Sequence, residues 1–132
     1  HRFKNLSIRS YVPSSPSLFV EFTISGSGNK LLLLRALGPA LTAGGLSGAL
    51  VDPVMDLYDL VGAIGYFRES NDNWGGDSSI VSVSSLVGAP ALSSGSADAV
   101  LLTLLPAGSY RVAISGKSGG TGITLFEIYE VY

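Results

Sequence analysis

From Leu18 to Ser25 the side chains follow a period of two: Leu18, Val20, Phe22 and Ile24 alternate with Phe19, Glu21, Thr23 and Ser25. Tyr110, Val112 and Ile114 alternate with Arg111, Ala113 and Ser115 in the same way. That period predicts strands with one face buried. Leu31–Leu34 and Val100–Leu102 are instead uninterrupted apolar runs. Such runs suit central strands covered on both faces, although a short buried helix has the same signature. Strands are expected at about 3–12, 17–26, 30–37, 53–60, 63–70, 98–105, 109–116 and 122–131. Glycine- and serine-rich turns separate them at the regular spacing of an all-β domain. Gly26-Ser27-Gly28-Asn29 is read as the link between the second and third strands, and Pro106-Ala107-Gly108 as the lead into the seventh. Gly62 marks a short turn, and Gly116–Gly122 a C-terminal hairpin, with glycines free to take positive φ. Gly38–Leu50 and Asp77–Ala97 break the rhythm as loops with room for a helical turn. The pattern predicts one antiparallel β-sandwich, jelly-roll-like, of about eight strands over residues 1–132.

Composition sharpens this picture. At 132 residues a single domain buries roughly 70% of its unfolded surface and needs no metal or disulfide staple. Charged residues make up only 14% and hydrophobic residues 46%, with mean hydropathy +0.41. So apolar a chain is expected to hide surface in neighbouring molecules or under sugar. The net charge is −2 with scattered Lys and Arg, which argues against nucleic acid as a partner. There is no Cys, so thiol catalysis, Cys-type zinc sites and disulfides are excluded. The longest apolar run is too short for a membrane span. The chain opens on His1 without a charged-then-apolar leader, as expected of a processed or excised segment.

The Asp52–Tyr129 part carries Met55-Asp-Leu-Tyr-Asp59, Gly62, Ser70-Asn-Asp-Asn73 and Leu105-Pro-Ala-Gly-Ser-Tyr-Arg-Val-Ala-Ile-Ser-Gly116. It resembles the bacterial pre-peptidase C-terminal domains, β-sandwiches related to collagen-binding domains. Over nearly its whole length the chain resembles a tandem repeat module of large exported bacterial surface proteins. Asn5-Leu-Ser7, Leu34-Arg-Ala-Leu-Gly-Pro39, Asn71-Asp-Asn-Trp-Gly75 and Glu127-Ile-Tyr-Glu130 carry that second likeness. The resemblance implies an extracellular or cell-surface location, tandem or polymeric assembly, and no enzymatic activity of its own. Between the first two strands the chain departs from these modules with Val12-Pro-Ser-Ser-Pro-Ser17.

Candidate chemistry concentrates between Asp52 and Asp77, where six acids face only Arg68; that stretch carries −5 and the remainder +3. Asn71, Asp72, Asn73 and Asp77 offer the oxygen ligands that calcium takes from a flexible loop, and collagen-binding relatives bind calcium. Equally, Asn and Asp cap turns through their own side chains. Trp74 is the only Trp; beside glycines it suits stacking on a glycan, or closing one end of the core. Asn5 lies in an Asn-Leu-Ser glycosylation sequon, and Ser14, Ser15 and Ser17 form a Ser/Pro patch suited to O-linked sugar. Catalysis is not expected: the sole His is residue 1, and Asp56 and Asp59, three apart on a strand, face opposite sides.

The function expected is an extracellular structural or adhesive module that packs or exchanges terminal strands with other copies of itself in a fibre or repeat protein. Phe126, Tyr129 and Tyr132 are candidates for core or inter-subunit packing. The alternative is a calcium- or carbohydrate-binding accessory module of a secreted enzyme.

Overall fold

A computed structural model describes residues 5–131; the beginning of the 3–12 strand, His1 and Tyr132 lie outside them. The described chain is mostly antiparallel β-structure: β1 (Asn5–Val12), β2 (Leu18–Leu37), β3 (Pro53–Val61), β4 (Ile64–Asn71), β5 (Ala99–Gly116) and β6 (Gly122–Val131). Two helices interrupt it, α1 (Pro39–Ala43) and α2 (Ser78–Val87), in the two segments that broke the strand rhythm. The strands form one six-stranded sheet in the order β1-β6-β2-β5-β3-β4.

The strands number six rather than about eight, because two expected turns are interruptions within long strands. Residues 24 and 29 of β2 pair with 108 and 106 of β5, and the register slips between them. Gly26 and Gly28 (φ 89 and 82) carry β2 through this irregularity, and Gly108 stands opposite in β5. Both strands therefore continue past glycines that read as strand ends. The C-terminal hairpin is also corrected. Gly116–Gly122 does not join paired strands, since β6 lies between β1 and β2 while β5 lies between β2 and β3. The segment is a crossover. Gly62-Ala63, by contrast, is a two-residue hairpin turn, with Val61 opposite Ile64 and Gly62 at φ 61.

The irregularity divides the sheet into two ladders. Residues 18–24 of β2 and 108–114 of β5 pair with each other, and β3 and β4 extend that group (the β3–β4 half). Residues 29–36 of β2 and 99–106 of β5 pair with each other, and β6 and β1 extend the second group (the β1–β6 half). One apolar cluster draws on both halves, joining Met55, Leu57, Val112 and Ile114 to Leu32, Leu34, Phe126 and Ile128.

The apolar runs follow directly from a second layer. Leu33, Val100 and Tyr129 belong to a separate cluster with Trp74, Ile80 and Ala89, beneath α2 and its flanking loops. In the β1–β6 half, then, Leu32 and Leu34 serve one core while Leu33 serves the other. α2 is ten residues long; the Asp77 carboxylate caps it by accepting from Ser79 N at 2.8 Å and Ile80 N at 3.3 Å. Gly88, left-handed at φ 78, ends it.

Candidate functional site

The 71–77 turn, the candidate calcium loop, engages many of its polar atoms within the protein. Asn71 Oδ1 accepts from Val100 N at 3.0 Å, and its Nδ2 donates to Asn73 O at 3.1 Å. Asn73 Nδ2 donates to Asp72 Oδ1 at 3.0 Å, and Lys117 Nζ donates to Asp72 Oδ2. The Lys117 hydrogen bond holds the Asp72 carboxyl below its ordinary range, and Asp72 in turn raises the Lys117 ammonium. Asp77 caps α2 through its Oδ1. Among the described residues no three acidic or imidazole side chains are gathered together.

Trp74 turns inward. It is 5% exposed, and its indole N–H donates to Ser93 O at 3.0 Å and Ser96 Oγ at 3.2 Å. Its ring lies in the second core and lines a pocket with Ile80, Ser84, Ala89 and Leu92. The hydrogen bonds lead to a residue that the pattern of the chain did not single out. Ser96 Oγ donates to Asp98 Oδ2 at 2.8 Å, and Asp98 Oδ1 accepts from Gly38 N at 2.8 Å and Ala40 N at 3.2 Å. Asp98 O accepts from Trp74 N at 3.1 Å. Asp98, fully buried, thus ties Asn71-Asp-Asn-Trp-Gly75 to Leu34-Arg-Ala-Leu-Gly-Pro39, two motifs far apart in the chain. Gly38 is required there, because a Cβ would stand 1.9 Å from Leu50 O. A lone Asp at the foot of an apolar strand, after a serine-rich loop, was the available signal.

Beneath α2 lies a second buried polar group. Arg35, 1% exposed, donates from Nη1 to Pro90 O at 2.7 Å. Its Nε sits 2.9 Å from Glu127 Oε1, an ion pair whose angles fall outside hydrogen-bond alignment, and its Nη2 has no hydrogen-bond partner among the described residues. Burial, with Glu127 beside it, pushes the Tyr129 phenol up to about 12. Arg35 and Glu127 are cross-strand neighbours on β2 and β6, so the register itself sets the pair. Phe126 and Tyr129, candidates for core or interface, both lie in cores.

The β3–β4 half presents a different outer face. Phe19 is 52% exposed and Phe67 61%. Arg111 stacks 5.1 Å over Phe19 and is clamped by Glu21 Oε2, at 3.0 Å from Nε and 2.8 Å from Nη2. Tyr58 meets Phe67 edge-on at 5.9 Å. Asp56 shares this face and lines a groove with Phe19, Tyr58 and Arg111. Asp59 instead pairs with Arg68 at 3.1 Å, and Arg68 lies over the buried Tyr110 ring. The two aspartates therefore do face opposite sides of β3.

Asn5 is exposed at the start of β1. Ser14 and Ser15 are exposed in the loop before β2, and Ser17 is half-buried there. Asn5, Ser14 and Ser15 thus lie at the surface. Among the described residues, no helix is long and apolar enough to cross a membrane. Compared with family models, with curated proteins and with solved structures, the chain matches none.

Proposed function

We propose that the sheet folds over at the glycine-marked irregularity into a two-layer sandwich, and that the domain is a structural module packing against other copies of itself outside the bacterial cell. The shared apolar cluster supports the first part, since residues of both halves contribute to one interior. The observation that carries the second is the exposure of the edge strands. β4, last in the strand order, is accessible throughout Ile64–Arg68 and shows Ile64, Tyr66 and Phe67 to solvent. β1, first in the order, shows Leu6, Ile8 and Tyr11. Neither strand contains Pro, β1 carries a single charge at Arg9, and an unblocked edge is a template for another chain.

Packing fits the geometry better than exchange of terminal strands. β1 pairs with β6 along its whole length, and β6 also pairs with β2, so donating either strand would break internal ladders. Sedimentation velocity over a concentration series tests the reading. The wild-type chain is expected to associate, and Tyr66→Lys, which places a charge on the β4 edge, is expected to remain monomeric. A wild-type monomer at every concentration would end the proposal.

A further inference from the structure

The outer face of the β3–β4 half holds a groove of about 280 Å3 lined by Ser17, Phe19, Asp56, Tyr58 and Arg111. Its polar groups are incompletely used. Asp56 makes no hydrogen bond or ion pair within the described chain, although Arg111 is its diagonal neighbour across β5. Arg111 spends Nε and Nη2 on Glu21 and retains Nη1. The guanidinium is already oriented by Glu21 and by the Phe19 ring, so using its remaining nitrogen costs little further ordering. Gly65 supplies no side chain where one would stand 3.5 Å from Tyr58 Cβ, which leaves that side of Tyr58 open to the groove.

We propose that this groove binds a ring of a neutral carbohydrate chain. A pyranose has apolar C–H faces for Phe19 and Tyr58, and hydroxyls that donate to Asp56 while accepting from Arg111. Charge narrows the ligand class. Asp56 and Glu21 oppose an acidic ligand, Arg111 opposes a basic one, and a polyol uses both kinds of group at once. Burial raises the Asp56 carboxyl above its ordinary range, consistent with a carboxylate short of water and partners. The site is separate from Trp74 and does not rest on self-association.

The test is a titration of the 15N-labelled chain with cellohexaose, mannohexaose and laminarihexaose, with polygalacturonate as the acidic counterpart, followed by amide chemical shifts. At least one neutral oligosaccharide is expected to shift residues 18–20, 56–58 and 111–113. Asp56→Ala and Phe19→Ala, each with an otherwise native spectrum, are expected to weaken binding by about tenfold or more. The absence of shifts there with all three neutral probes would overturn the proposal. So would shifts that survive both substitutions, or binding of polygalacturonate alone.

Discussion

The two halves of the sheet share strands β2 and β5 but differ in what lies outside them. In the β1–β6 half a helix and two loops cover the sheet, Leu33 and Trp74 meet in a second core, and even Arg35 is enclosed. In the β3–β4 half Phe19 and Phe67 touch Arg111 and Tyr58 of the same face and otherwise stay exposed. The same strand passes from one environment to the other: alternating around residues 18–24, continuous in apolar character from Leu31 to Leu34. The difference teaches where the protein commits its residues to stability and where it leaves apolar surface open to solvent. Most of the recognisable motifs serve the first purpose, since Gly38, Trp74 and the 71–77 turn hold the covering layer down through Asp98 and Val100.

If that contrast is right, substitutions should divide by half. The largest loss is expected at the buried ion pair. Arg35→Ala leaves Glu127 uncompensated under α2 and should cost about 3–5 kcal/mol in urea unfolding, a large share of a domain's total. Replacing both partners with apolar residues, Arg35→Met with Glu127→Leu, should recover most of it. The same region predicts alkaline sensitivity. The folded Tyr129 phenol titrates at about 12 and an unfolded one near 10. Its contribution is complete below the unfolded value and is lost as pH rises between the two. Tyr129→Phe should flatten stability across that window.

A smaller effect is expected at Asp98. Asp98→Ala removes the acceptor of Gly38 N, Ala40 N and Ser96 Oγ, and should cost about 2 kcal/mol or more by thermal unfolding. The smallest is expected in the open half. Phe67→Ser should change unfolding free energy by no more than about 0.5 kcal/mol, because its ring lies mostly in solvent. A loss comparable to that of Arg35→Ala would mean that the β3–β4 half is also closed, and would remove the contrast.

Much of the fold was legible because period and burial are the same physical fact. Alternation marked strands with one solvent face, and the apolar runs marked double coverage, as Leu33 and Leu34 in opposite cores show. What misled was glycine. Gly26, Gly28 and Gly108 permit positive φ, and a strand that bends without ending uses the same residues as a turn. Strand neighbours were equally hidden. Nothing local tells Gly116–Gly122 that β6 will insert between β1 and β2. The candidate site was less legible than the fold. Asn71, Asp72 and Asn73 cluster in sequence because they bond one another and Val100 N, while Asp98 is visible only once three loops converge on it. The groove residues Phe19, Asp56 and Arg111 come from three strands with no shared motif.

Residue-resolved hydrogen exchange at low and high protein concentration tests the central contrast most directly. Amides of residues 31–37 and of β6, paired on both sides in the covered half, should exchange slowly at every concentration. The outward amides of β4 should exchange rapidly in dilute solution and become protected as concentration rises. Unchanged rapid exchange along β4 at all concentrations would contradict an edge that works by joining copies, and slow exchange there in the dilute chain would contradict an open edge altogether.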